Sequence, residues 1–156
     1  MSATPSSCAT CFDAAQRQRI EQRGTLARAQ IEALRLQAAV TVVCSRFDNQ
    51  PATALEAMVQ AAPLVAVDAG GVGELVEHGV TGLLAPPNDL DALCACIRET
   101  LADPAAAARR ALAARERVLQ RHGVARLAGQ ALDLYRRVIA EHAAGHWMQA
   151  APRSAA

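Results

Sequence analysis

Three short apolar runs with no polar alternation stand out from a chain that otherwise has the apolar and polar spacing of helices. Runs of this kind are typical of strands that are buried on both faces of a parallel sheet. Each run ends near a Ser, Gly, Pro or Asp, which are residues that favour turns and loops. The predicted strands are residues 40–44, 64–67 and 82–85.

Helices are predicted before, between and after these strands. Residues 13–37 have a helical composition that Gly24 divides into two pieces, and Asp103 and Pro104 mark the end of a later helix. Strands that alternate with helices of these lengths predict an α/β fold with a Rossmann-like open parallel sheet and carboxyl-terminal helices. The later helices are predicted at residues 51–62, 73–77, 90–101, 105–122 and 124–141.

Composition limits the domain organisation and the partners. The 156 residues, 52% of them hydrophobic, are enough for one folded domain, which we place at residues 24–141. Residues 1–23 are expected to form a tail with a partial helix, and residues 142–156 a second tail. The net charge is +1 and the 16 basic residues are scattered, which argues against binding to nucleic acid.

The cytoplasm is the expected location. The longest apolar runs, residues 38–44 and 61–67, are far shorter than the roughly 20 residues of a membrane-spanning helix, so no transmembrane segment is predicted. The first residues lack the basic start and the apolar stretch of a signal peptide. The five Cys residues do not have the spacing of a disulfide framework, which suits a reducing compartment.

Three pairs of Cys or His residues have spacings found in metal sites, but none has the further ligands that a closed site needs. The Cys pairs are better explained as free thiols in a tail and as small side chains on different helix faces, and the His pair lies at a fraying helix end. We therefore expect no metal site and no cofactor. The pairs are Cys8 and Cys11, Cys94 and Cys96, and His142 and His146.

The loop after the first predicted strand has the features of an anion site. Ligands of open α/β sheets bind beyond the carboxyl ends of the strands. Here a helix begins near Pro51, and the unpaired backbone N–H groups of residues 52–54 attract phosphate. Asp48 and Glu56 bracket this helix start, and because carboxylates repel phosphate we expect them to bind neutral hydroxyl groups. Taken alone, the pattern also allows Asp48 to be a helix cap and Glu56 a solvated helix residue.

Residues 45–93 read SRFDNQPATALEAMVQAAPLVAVDAGGVGELVEHGVTGLLAPPNDLDAL. This stretch resembles the carboxyl-terminal domain of glycosyltransferase family 4, the glycosyl transferases group 1 enzymes of GT-B fold. The likeness continues weakly from Gly24 to Tyr135. It implies the distal half of a GT-B donor domain. It also implies transfer of a sugar from a nucleotide-sugar donor to a glycan or lipid acceptor, with retention and without a metal.

The resemblance also implies roles for individual residues. The family has a Glu-x7-Glu motif in this loop and helix, which Asp48 and Glu56 match with Asp in the first position. It implies that Asp48 faces the donor sugar and that Glu56 binds the ribose. Asp48 and Glu56 are therefore the candidate catalytic residues. The backbone of the intervening loop would contact the sugar and the pyrophosphate, and a glycine loop would line the donor crevice. These substrate-binding candidates are Asn49, Gln50, Pro51, Ala52, Thr53, Gly70 and Gly71.

The chain departs from the family pattern in two ways. Ala61 or Ala62 stands where the family has Gly after the helix. Nothing resembles the acceptor-binding amino-terminal domain or the first donor-domain strands, whose basic residues neutralise the pyrophosphate; Arg28 and Arg46 are not evident substitutes. We therefore expect a fragment with an exposed strand edge, inactive by itself and completed by a partner chain that supplies the amino-terminal domain.

Two alternatives remain at this point. The first is a non-catalytic remnant or split subunit that folds against a partner polypeptide. The second is a GT-B sugar epimerase, which the Asp-Asn-x-Pro-x-Thr-x-Leu-Glu string favours less than a transferase. A lipid acceptor would place the protein at the inner face of the membrane as a peripheral protein.

Overall fold

The computed structural model describes residues 12–145 of the chain. The chain divides into two compact units, Met1–Leu34 and Arg35–Ala156. The predictions for Cys8, Cys11 and His146, and for the outer parts of both tails, lie outside the described residues.

The first unit contains α1 (Ala14–Arg17) and most of α2 (Arg28–Gln37). A capping box begins α1: the Asp13 carboxylate accepts a hydrogen bond from the Gln16 N–H at 2.8 Å, and the Gln16 side chain accepts one from the Asp13 N–H at 3.0 Å. Gly24 lies between the helices with φ of +56°, a conformation that glycine adopts readily. Two helices are present as predicted, but α1 ends at Arg17 and α2 begins only at Arg28, so the first helix is much shorter than the sequence indicated.

The second unit is built on a three-stranded parallel sheet in the order β1-β2-β3. The central residue Val65 pairs with Val42 on one side and with Leu83 on the other. The structure confirms the predicted open parallel sheet, with slightly shorter outer strands than the apolar runs indicated. The strands are β1 (Thr41–Val43), β2 (Leu64–Val67) and β3 (Leu83–Ala85).

Five helices follow or connect these strands. The Asp89 carboxylate caps α5 by accepting the Ala92 N–H at 2.8 Å, and the Asp103 carboxylate caps α6 by accepting the Ala106 N–H at 2.8 Å. Asp103 thus ends one helix and begins the next. None of the helices in residues 12–145 is long and apolar enough to cross a membrane. The helices are α3 (Ala52–Val59), α4 (Val72–Leu75), α5 (Leu90–Ala102), α6 (Pro104–Arg121) and α7 (Val124–Ala143).

The core lies on both faces of the sheet because successive strand side chains point to opposite faces. Leu64 and Ala66 of β2 pack with buried residues of α3, α4 and α6, whereas Val65 packs with α5. Met58 of α3 is fully buried, and burial of such a side chain contributes about 1.5–3 kcal/mol to folding. These two layers fix the loops at the carboxyl ends of the strands.

Helix α3 ends in a left-handed turn that an alanine provides. Ala61 has φ of +53°, and its N–H donates to the Met58 carbonyl at 3.0 Å. The next N–H, of Ala62, donates to the Ala57 carbonyl at 2.9 Å, which completes a Schellman motif. Ala61 therefore takes the place that glycine has in the family, at a conformational cost of about 1 kcal/mol.

The two cysteines of α5 differ in exposure. Cys96 is buried against the second face of the sheet, and burial raises the pKa of its thiol. Its Sγ donates to the Leu84 carbonyl at 3.7 Å, whereas Cys94 is half-buried. Within residues 12–145 there is no group of three or more His, Cys, Asp or Glu side chains that could hold a metal ion.

Candidate functional site

Two loops meet at the carboxyl edge of the sheet, one after β1 and one after β2. The Gly71 N–H donates to the Asp48 carbonyl at 2.8 Å. A Cβ atom on Gly71 would lie 1.9 Å from the Asn49 carbonyl oxygen, and one on Gly70 would lie 2.4 Å from the Asp48 carbonyl oxygen. Only glycine allows the backbones to approach this closely, and Gly70 also has φ of +62°. The two loops therefore form one unit.

The Asp48 carboxylate stabilises its own loop. Its Oδ1 accepts a hydrogen bond from the Gln50 N–H at 3.1 Å, the pattern of an Asx turn. Pro51, the residue that begins α3, has no side-chain capping hydrogen bond. Asp48 consequently caps the turn ahead of α3 and leaves the helix start itself uncapped.

The first turn of α3 exposes backbone donors. Pro51 is buried, and its carbonyl accepts the N–H groups of Ala54 and Leu55 at 3.0 and 3.1 Å. Ala52 and Thr53 are exposed, and their N–H groups donate to no other residue in the part of the chain that the structure describes. These donors carry the positive end of the helix dipole and favour an anion.

Glu56 is ion-paired to a buried arginine. The Arg35 side chain, in the last turn of α2, is only 8% exposed, and its Nη2 donates to Glu56 Oε2. The Arg35 Nη1 donates to Gln60 Oε1 at 3.0 Å. The Glu56 side chain is 38% exposed, so part of it remains accessible from solvent. Glu56 is therefore held in place by Arg35 rather than freely solvated.

A cleft of about 630 Å³ lies beside the two loops. Its walls come from the loop after β1, from α4 with the glycine turn before it, and from the junction between α6 and α7. The lining includes two guanidinium groups and one carboxylate, and neither Arg121 nor Arg126 forms an ion pair within residues 12–145. The lining residues are Asn49, Gln50, Gly71, Glu74, Leu75, Arg121, His122 and Arg126.

The site residues predicted from the sequence do not all lie in the cleft. Asn49, Gln50 and Gly71 line the cleft. Gly70 and Asp48 hold the loops together, and the exposed Ala52 and Thr53 form the adjacent helix start. Pro51 is buried, and Glu56 lies one turn further along α3 outside the cleft lining.

Four basic residues near the site were missed by the sequence analysis. They are Arg35, Arg121, His122 and Arg126. Gly123 gave the one local signal, because it separates two helices directly after a basic pair. Arg28 instead pairs with Glu32 in the first unit, and Arg46 lines a separate, smaller cleft.

The parallel sheet, its helices on both faces and the loops at its carboxyl edge define a Rossmann-like α/β fold. Residues 6–103 match the family model described as glycosyl transferases group 1, and the chain belongs to this family. The predicted family and fold class are therefore confirmed.

Known proteins of this kind are similar over a large part of the chain. A glycogen synthase of Mycobacterium tuberculosis is 42% identical over 95 residues, which are 61% of this chain and 23% of that protein. Sucrose-phosphate synthase from Thermosynechococcus elongatus has a TM-score of 0.73 and 34% identity over 79% of this chain and 31% of its own. Anabaena Alr3699/HepE, solved in complex with UDP, has a TM-score of 0.67 and 31% identity over 70% of this chain and 30% of its own.

The chain thus spans less than a third of the length of these relatives.

Proposed function

We propose that this chain is the donor-binding part of a retaining glycosyltransferase and binds a nucleotide sugar beside the start of α3. The observation that carries the proposal is the joined pair of loops, which places the uncapped helix start next to the cleft. The family match and the likeness to a structure with bound UDP support it. The same proposal assigns the donor-binding fold to residues 24–141.

The donor would lie along α3. Its phosphate groups would accept hydrogen bonds from the N–H groups of Ala52 and Thr53. Within residues 12–145 these N–H groups donate no hydrogen bond. The ribose would lie one turn further along, at Glu56 Oε1, and the sugar would lie towards the cleft with Asn49 and Gln50. The expectation that the sugar is transferred with retention of its anomeric configuration and without a metal comes from the family resemblance.

Replacement of Glu56 by Gln is expected to weaken nucleoside diphosphate binding about tenfold, because a carboxylate accepts hydroxyl hydrogen bonds about twice as strongly as a neutral group. Gln still offers an oxygen to Arg35, whereas Glu56→Ala would leave that buried cation unpaired and cost about 1–3 kcal/mol of stability. Calorimetric titration of UDP, GDP and ADP into wild type and Glu56→Gln measures the effect.

Glu116→Gln provides the control for Glu56→Gln, since it removes an exposed carboxylate from α6 outside the cleft. Inorganic pyrophosphate should bind wild type and Glu56→Gln equally, because it has no ribose. Unchanged affinity of Glu56→Gln for every diphosphate that binds wild type would contradict the ribose assignment.

Replacement of Asp48 by Asn tests the assignment of Asp48 to the sugar. Asn retains the oxygen that accepts the Gln50 N–H, so the loop keeps its turn while the carboxylate charge is lost. We expect about fivefold weaker binding of the whole nucleotide sugar and unchanged binding of the free diphosphate, as one charged hydrogen bond is lost. An equal loss for both ligands in the same titrations would leave Asp48 with a purely structural role.

A second polypeptide is part of the proposal. The chain spans only 23–31% of the length of the three relatives described above, and β1 has one neighbouring strand within the described sheet. A partner chain that pairs with the outer edge of β1 would supply the acceptor-binding domain, for a glycan or a lipid acceptor. A non-catalytic subunit of such an assembly is the alternative function.

A further inference from the structure

We infer that Arg121, Arg126 and His122 form a phosphate-binding subsite at the junction of α6 and α7. It would take a phosphate group of a ligand that also occupies the cleft. The inference extends the proposed function to residues that the donor motif does not include. It needs only that a phosphorylated ligand uses this cleft, and its test does not depend on sugar transfer.

The charge distribution of the cleft is the first argument. Arg121 ends α6, Arg126 lies in the first turns of α7, and the short connection through Gly123 brings both to one wall. Two other arginines of α6 are ion-paired, Arg110 to Glu99 and Arg117 to Glu77. Arg121 and Arg126 have no such partner in residues 12–145 although they border a concave surface.

The chemistry of the side chains is the second argument. A guanidinium group presents paired N–H donors that match two phosphate oxygens, and two such groups can hold a phosphate from two directions. His122 adds a ring nitrogen between them in sequence and also borders the cleft. The lining also includes the Asn49 and Gln50 amides, which suit the neutral remainder of a sugar phosphate or a nucleotide sugar.

Replacement of Glu74 should change phosphate binding in the opposite direction to replacement of the cleft arginines. Its carboxylate lies in the same lining and forms no ion pair with a described residue. A negative charge near a bound phosphate weakens binding. Removal of that charge should therefore strengthen phosphate binding if the phosphate lies where Arg121 and Arg126 place it.

The test is titration of inorganic pyrophosphate into the purified 156-residue chain and its variants. Arg121→Gln and Arg126→Gln should each weaken binding about three- to tenfold, the range for exposed charged contacts, and Glu74→Gln should strengthen it about twofold. The matched controls are Arg115→Gln on α6 and Arg137→Gln on α7, which remove the same charge from exposed positions outside the cleft. These two should bind pyrophosphate as wild type does.

Equal effects of cleft and control arginines would overturn the subsite, as would unchanged pyrophosphate binding in both cleft variants. Weaker or unchanged binding by Glu74→Gln would also count against it. If Arg121→Gln does not fold, Arg121→Lys and Glu74→Gln keep the test decisive, with Lys retaining charge but losing the paired donors and so part of the affinity.

The source of the phosphate follows from competition. A donor diphosphate at the subsite predicts that saturating nucleoside diphosphate displaces the pyrophosphate whose binding depends on Arg121 and Arg126, whereas a phosphorylated acceptor predicts that glucose 1-phosphate displaces this pyrophosphate and the nucleotide does not. Failure of the proposed function gives a separate pattern: no nucleoside diphosphate binds wild type, yet pyrophosphate binding still depends on both cleft arginines.

Discussion

Purified by itself, the 156-residue chain is expected to transfer no sugar from any nucleotide-sugar donor. Transfer requires an acceptor held beside the anomeric carbon, and alignment of two reactants accounts for about 7–11 kcal/mol of rate enhancement at best. The site that we propose within residues 12–145 would bind a donor, and the acceptor-binding domain would come from the proposed partner chain. Without a bound acceptor, the chain should lose all of the rate enhancement that comes from aligning donor and acceptor.

Two measurements on the same preparation check this expectation. Donor turnover is followed with a panel of UDP-, GDP- and ADP-sugars, and size-exclusion chromatography reports association. We expect self-association, because the outer edge of β1 has no neighbouring strand in the described sheet and several large apolar side chains of α7 are exposed. Co-expression of the proposed partner polypeptide should give a monodisperse species. Robust transfer by a monomer would show that α5–α7 bind the acceptor.

Gly71→Ala is expected to destabilise the second unit and to abolish the cleft. The added Cβ would lie 1.9 Å from the Asn49 carbonyl oxygen, a backbone atom that can move only with its loop. The loop would separate from Gly71 and lose the hydrogen bond to the Asp48 carbonyl. Overpacking and the lost hydrogen bond together predict a decrease of about 2–4 kcal/mol in the free energy of unfolding.

Urea denaturation of wild type and Gly71→Ala measures this decrease, and diphosphate titration measures the loss of the site. Gly129→Ala is the matched control, since no atom lies within 4 Å of its added Cβ and it lies inside α7. The control should raise stability by about 0.5–1 kcal/mol, as alanine is the better helix former. A Gly71→Ala chain with wild-type stability would mean that the two loops are not in contact.

Local chemistry made the elements predictable. The strands follow from apolar runs too short for helices, and Asp89 and Asp103 mark helix starts because their carboxylates cap nearby N–H groups. The sequence placed the Asp48-to-Glu56 loop at the carboxyl end of a strand for the same reason. The sequence left open whether Ala61 or Ala62 takes the turn position after α3, and the structure shows Ala61 in the left-handed conformation.

Local sequence patterns could not predict which distant residues contact the site residues. Arg35 and Glu56 are 21 residues apart, and nothing within one helix turn of either residue indicates the other. Arg28 and Arg46, the basic residues nearest to the motif in sequence, are absent from the cleft lining, whereas Arg121 and Arg126 form part of it. Helix and turn rules relate residues three or four apart, so they cannot report on such pairs.

The sequence by itself therefore determined the secondary-structure elements, their order along the chain and the family. Apolar periodicity, capping residues and the motif of Asp48 and Glu56 are all local patterns. Only the tertiary structure decided that Gly71 lies against Asn49, that Arg35 holds Glu56, and that the α6–α7 junction completes the cleft. These contacts depend on how α3, α4 and α6 pack over one face of the sheet. That packing is a property of the whole core, to which each residue contributes only burial and shape.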